Sequence, residues 1–408
     1  MAQVGNTRRS WHLRANALVF GYAALGLITL LAPLNFDKHR WLVVHLFLLG
    51  SVTNAIVTWT EHFTVTLLRV PQPSRGGSAW RLVVLNLAVV ALLVGVSISN
   101  SPLVIAGAIL LVIVIGTHSV NLYRLSNKAL QNRFAGTVRF YLAAATCLVL
   151  GIVLGTLAAF QKEGSVHLDS FHVSHVHANL LGWIGLTVLG TFFTFWPTIL
   201  RTKMVDGVMK AARRALPFLF SGVFVSSIAL AMDQRLLTIL GMVIYAIGLA
   251  IASVPFIRTW MQKPPRDFAA LSVSFSATWL VLGVLADILA LSFAKDLPAY
   301  AGLLDHFVPA FLFGFVGQLL LGALTFLVPV ILGGGPSSVR RHIVQLSLFW
   351  KTRFLFFNLG ALLLALGDGL TQVGYALLAL SLGTFIGLVI YTVRAGARVS
   401  NDSGQLPR

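Results

Sequence analysis

Apolar runs long enough to cross roughly 30 Å of hydrocarbon as helices begin near Asn16, Trp41, Trp80, Pro102, Arg139, Val176, Leu216, Leu236, Phe268, His306, Phe354 and Gln372. A chain interrupted only by short polar stretches must satisfy its backbone inside a bilayer, and helices do so within each segment. With 57% hydrophobic and 10% charged residues and a mean hydropathy of +0.86, no stretch suggests a water-soluble domain. The expectation is an all-α polytopic membrane protein, twelve transmembrane helices in one membrane domain over 1–408. The run after Asn16 is too long for a signal-peptide core and lacks a convincing cleavage site, so it reads as a retained first helix.

The net charge of +18 invites comparison with nucleic-acid binders, but its distribution points to lipid. If the N-terminus is cytoplasmic, all but five of the 30 Lys and Arg fall on the inner side, leaving Lys38, Arg40, Lys162, Arg235 and Lys295 outside. That asymmetry is the positive-inside rule, with the basic loops meeting anionic headgroups. It predicts a multi-pass protein of the cell membrane with both termini cytoplasmic. Basic residues scattered over short loops build no nucleic-acid face. The single cysteine, Cys147, lies within an apolar run and reads as a packing residue.

Three segments share a register of 132 residues: His45-Leu46-Phe47-Leu48-Leu49-Gly50, His177-Ala178-Asn179-Leu180-Leu181-Gly182 and Pro309-Ala310-Phe311-Leu312-Phe313-Gly314. Eight residues beyond each glycine come Thr58, Gly190 and Gly322. Leu148-Val149-Leu150-Gly151 returns as Leu280-Val281-Leu282-Gly283, and Gly107, Gly241 and Gly374 recur at similar spacing. These matches predict three parallel four-helix repeats, about 10–125, 135–260 and 266–395, with a cytoplasmic tail over 396–408. The copies would be related by pseudo-threefold symmetry about the membrane normal.

Seven of the eleven histidines fall on or near the expected outer side: His39, His45, His167, His172, His175, His177 and His306. Four of them stand at the outer ends of the second helix of each repeat. Imidazoles converging at one membrane level suggest a metal or haem site, and a hydrogen-bonded interfacial cluster is the alternative. His172, His175 and His177 are close enough in sequence to supply a copper site.

Twelve helices in three arcs, with histidines at the outer ends of helices two, six and ten, resemble the catalytic subunit of haem-copper oxidases and the haem- and copper-containing NnrS family. The chain is also similar to the membrane portion that precedes the cupredoxin domains of actinobacterial multicopper-oxidase or copper-nitrite-reductase-type proteins. That likeness rests on the segments from His45 to Ile56 and from His177 to Thr198, and on Leu332-Gly333-Gly334-Gly335-Pro336. The resemblance implies one haem held by His45 and His306, with His177 as a further cofactor residue, or copper held by His172, His175 and His177. It implies electron transfer or nitric oxide and nitrite handling, with a separate cupredoxin or copper nitrite reductase-type partner. The chain departs from the oxidase pattern in having a single histidine in helix ten, no histidine pair between Leu216 and Met232, and no tyrosine between His177 and Trp196. A second, oxygen-reducing haem therefore lacks its ligands.

Asn54 and Glu61 lie seven apart on one helical stripe, and Gln318 and Thr325 occupy the same register in the third repeat. The stripe reads as a polar path or as interhelical hydrogen bonding. Asp287, an acid within an apolar run, would need a partner, a histidine or Lys295. As an acceptor it would orient a ligating imidazole. No nucleotide-binding or hydrolase motif is present. A transporter or channel, or an assembly role in a respiratory complex, is the alternative function.

Overall fold

The computed structural model describes residues 2–32, 37–129, 134–162, 164–367 and 369–402. Every regular element among them is a helix: α1 (Ala2–Leu31), α2 (His39–Leu68), α3 (Arg75–Ser97), α4 (Ser101–Asn127), α5 (Ala135–Ala159), α6 (His167–Ile199), α7 (Val208–Ala231), α8 (Arg235–Gln262), α9 (Phe268–Phe293), α10 (Leu297–Leu332), α11 (Gly335–Leu346), α12 (Trp350–Leu366) and α13 (Thr371–Asp402). Eleven are long and apolar enough to cross a membrane. The pair α11 and α12, bent by 49° at a short break, makes a twelfth if taken together. The chain has the build of a multi-pass membrane protein. Helix α13 continues to Asp402, past the expected start of the tail at 396, and residues 403–408 lie outside the described residues.

Local chemistry sets many helix ends. Ser74 and Asn100 cap α3 and α4 by accepting from the backbone N–H of Gly77 and Leu103. Asp267 and Asp296 do the same for Ala270 and Ala299 at the starts of α9 and α10, each satisfying one orphan donor. Helix α2 stops at Arg69, in the left-handed region at φ 53°, two residues before Pro71.

The chain forms two compact units. One comprises Met1–Ala32, Pro265–Leu280 and His306–Arg408, and the other Pro33–Pro264 and Val281–Asp305. In the larger, second unit, three of the basic residues expected on the sparse outer side donate to helix carbonyls. Lys38 Nζ reaches Val96 O at 2.6 Å, and Arg235 reaches the carbonyls of Leu291 and Ser292 at 2.8 Å. These cations meet the negative C-terminal ends of α3 and α9. Arg40 donates to the carbonyl of Asp305, which Pro309, four residues on, leaves without its helical N–H.

Helices α2, α6 and α10 each widen into a π-helical stretch, over Leu46–Val52, Ala178–Leu186 and Leu312–Gly317. These three spans are also the most buried, with 56%, 83% and 61% of their apolar windows enclosed against 28–50% for the other spans. Widened turns misalign the backbone ladder, and side chains meet its carbonyls: Thr53 Oγ1 donates to Leu48 O, Asn54 Nδ2 to Gly50 O and Tyr245 Oη to Leu181 O.

Close helix crossings rest on glycine. A Cβ on Gly241 of α8 would lie 2.8 Å from the backbone N of Ser226 and 2.9 Å from Gly222 O on α7. A Cβ on Gly107 of α4 would lie 3.2 Å from Ala88 O on α3, and one on Gly374 of α13 would lie 2.9 Å from Gly360 O on α12. Such approach is where helix association in lipid gains its van der Waals energy. Because the clash at Gly241 is with backbone, no rotamer change relieves it. Gly241→Ala is expected to lower stability in detergent by about 1–3 kcal/mol, whereas Gly116→Ala, whose Cβ meets nothing within 4 Å, should gain up to about 1 kcal/mol of helix propensity. Thermal unfolding of both variants checks the contrast.

Candidate functional site

The N-terminal parts of α2 and α6 bring two histidines together in the second unit. The rings of His45 and His175 lie with centroids 6.1 Å apart and planes 24° apart. Trp41, one turn before His45, stacks on its ring at 4.1 Å. His45 Nδ1 bonds the carbonyl of Trp41 at 2.8 Å, and His175 Nδ1 bonds that of Gly151 at 2.7 Å. A carbonyl only accepts, so each Nδ1 carries the hydrogen and each Nε2 keeps its lone pair. That is the tautomer in which ligating imidazoles are held.

Helix α5 makes the room. A Cβ on Gly155 would collide with the His175 ring, and one on Gly151 would lie 2.6 Å from the Asn179 amide. Asn179 Nδ2 in turn donates to His175 O at 2.8 Å. The sequence reading did not single out this Gly151-Ile152-Val153-Leu154-Gly155 stretch as a contact surface, although two glycines four apart are a known helix-packing signal.

His177 is committed elsewhere. Its Nδ1 bonds Val173 O at 2.8 Å and its Nε2 bonds Asp287 Oδ2 at 2.7 Å. Tyr300 donates to the other Asp287 oxygen at 2.7 Å. All three side chains are buried. Asp287 therefore takes a histidine rather than Lys295 as its partner, but that histidine has no nitrogen left to offer a metal. Tyr300, thirteen residues after Asp287 across the α9–α10 turn, carries no periodic signal that would have revealed it.

His172, the third member of the expected copper set, lies 3.7 Å from Asp305 at a half-exposed position. Among the described residues no group of three or more His, Cys, Asp or Glu side chains is arranged to hold a metal ion. The set His172, His175 and His177 is thus divided among three different partners: His172 and His175, three apart, share a face of α6, whereas His177 lies on another and is captured by Asp287. His306 belongs to the other unit, where its exposed ring lies against Gly367 at the end of α12.

The expected polar stripe resolves into closed groups. Asn54 and Asn86 exchange amide hydrogen bonds at 3.3 and 3.0 Å. Glu61 accepts from Ser78 at 2.6 Å, from Asn121 at 2.9 Å and from Arg81. His118 pairs with Thr60 at 2.9 Å. Helices α2, α3 and α4 are thereby tied together by side chains of opposite capacity. Gln318, in the first unit, is buried with neither amide atom hydrogen-bonded.

No protein-family model matches the chain, and no curated protein is found similar to it.

A buried charge pair that loses one member leaves the other uncompensated. Asp287→Ala is expected to cost about 3–5 kcal/mol, and Tyr300→Phe, which removes one hydrogen bond to a charged group, about 1.5–3 kcal/mol. Denaturation of the purified variants reads both values, and an Asp287→Ala protein as stable as wild type would contradict the pairing.

Proposed function

We propose that the chain is a membrane redox protein of the haem-copper oxidase-like superfamily, akin to the NnrS family, binding haem or copper through imidazoles and handling electrons or nitrogen oxides. A separate cupredoxin or copper nitrite reductase-type protein is its proposed partner. The observation that carries this reading is the His45–His175 pair, two imidazoles on different helices with both Nδ1 atoms tied to backbone carbonyls and both Nε2 atoms open. The donor set fits such a cofactor, since haem iron takes axial nitrogen ligands and copper takes two or three imidazoles. His45 and His175 would hold the group, and His177 is set aside because Asp287 occupies it. When bound, haem or copper would supply one-electron chemistry. The chain's own part is to orient the rings through Trp41 O and Gly151 O, to cover the His45 face with Trp41, and to leave space for His175 at Gly155.

The threefold repeat supports the same superfamily. The π-helical stretches fall in the three register-related segments and include Gly50, Gly182 and Gly314. Gly182 packs against Cys147 and Gly314 against Trp279, and both partners are themselves 132 apart. Gly190 against Phe140 and Gly322 against Ser272 repeat the relation. Contacts recurring with one offset support the second and third copies, and the shared π-helical register of the first extends the proposal to three parallel four-helix copies. Positive-inside bias supports a reading with both termini in the cytoplasm and the histidine pair toward the outer face, in which three of the five outer cations serve as carbonyl partners.

The test is an absorption spectrum of the protein in mild detergent, oxidised and dithionite-reduced, with metal analysis, for wild type and for His45→Ala, His175→Ala and His306→Ala. The expected result is a haem Soret band or bound copper in wild type that is lost in the His45 and His175 variants. A colourless, metal-free wild-type protein from cells supplied with haem precursor and copper would overturn the redox reading in favour of transport or assembly.

A further inference from the structure

The segment from Gly335 to Arg353 carries Arg340, Arg341, Lys351 and Arg353 and no acidic residue. Helix α11 occupies twelve residues of it, roughly 18 Å at 1.5 Å per residue, whereas α12 with seventeen reaches roughly 26 Å. The second length alone approaches the hydrocarbon thickness, so the crossing does not need α11. Their sequences differ accordingly, since α12 after Arg353 is apolar but for Asn358 and α11 is amphipathic.

The sides of α11 are sharply unequal. His342 and Leu346 are buried against the protein. On the opposite side Arg340 and Arg341 are exposed, followed by Val344 at 61% and, just past the helix, Leu348 at 42% and Phe349 at 70%. Lys351 is exposed beside Trp350, its Nζ 5.8 Å from the ring centroid. Cations, exposed large apolar side chains and a tryptophan in one short stretch match the composition of helices seated at a membrane surface.

The bend that presents this face is fixed rather than incidental. Arg353 is buried at the break and donates from Nε to Leu348 O at 3.0 Å and from Nη2 to Leu346 O at 2.6 Å. Its guanidinium lies 4.4 Å from the centroid of Phe268, and Ser381 of α13 bonds its carbonyl at 2.9 Å. The carbonyls that would otherwise be orphaned at the end of α11 are thus held by a cation rooted in α12.

We propose that α11 is an interfacial helix that docks on anionic phospholipid headgroups through Arg340, Arg341 and Lys351, with Val344, Leu348 and Phe349 seated in the acyl boundary, and that α12 alone makes the crossing. Charge complementarity selects the partner, since an acid-free basic segment at a bilayer surface gains affinity for each cation near negative headgroups. This inference stands independently of any cofactor.

The experiment uses the full chain in vesicles. Cys147 is buried, so a bimane fluorophore on Val344→Cys reports locally. Its quenching is compared in phosphatidylcholine vesicles containing either brominated phosphatidylglycerol or brominated phosphatidylcholine. The expected result is quenching by both, a severalfold preference for the anionic lipid, a reduced preference in each of Arg340→Gln and Arg341→Gln, and its loss in the double variant. Because both arginines are exposed, thermal unfolding of these variants should match the parent and confirms that they fold. Absence of quenching by either lipid would place α11 in water, and equal quenching by the two lipids, or a preference unchanged in the double variant, would remove the headgroup site. Each of these three results overturns the proposal.

Discussion

Within hydrocarbon a polar group finds its partner in the protein or goes without, and the rest of this structure depends on that constraint. Regular helices meet it for the backbone segment by segment. Where the ladder is broken, carbonyls must be met from elsewhere. Thr53 and Asn54 answer the widened turn of α2, Tyr245 of α8 answers that of α6, and Arg40 takes the Asp305 carbonyl that Pro309 releases. Some of these partners come from distant segments, so local defects become cross-links that fix how helices sit against one another. Arg353 at the α11–α12 break obeys the same rule with a charged donor.

The same constraint sorts the histidines into two kinds. His177 spends both nitrogens, one on its own helix and one on Asp287, and is sealed with Tyr300 into a buried, fully bonded group. His45 and His175 spend one nitrogen each on a carbonyl and retain the other. Gly155 of α5 gives His175 space, whereas Asp287 of α9 gives His177 an acceptor.

Much of the architecture was legible in the residues. Long apolar runs require helices because no other open structure satisfies its backbone in lipid, and Ser74, Asn100, Asp267 and Asp296 mark helix starts through an N–H that only a side chain can reach. Asn54, Glu61 and Asp287 were visible as polar residues in apolar surroundings. Their partners were not, because Asn86, Arg81, Asn121 and Tyr300 come from other helices, and sequence periodicity describes one helix at a time. The copper set illustrates the limit. His172, His175 and His177 are neighbours in sequence, yet roughly 100° of rotation per residue leaves His172 and His175 on one side and turns His177 to another, where Asp287 receives it.

By itself the sequence determined the solvent, the helical class, the approximate spans and the 132-residue register, because these depend on hydropathy and steric rules that act locally along the chain. Only the tertiary structure decided which imidazoles keep a free nitrogen, that α2 and α6 bring His45 beside His175, and that α11 bends away from α12. Those outcomes depend on which donors and acceptors meet across helices, and such meetings are set by close approach at glycines and by widened turns whose consequences appear only once the helices are packed.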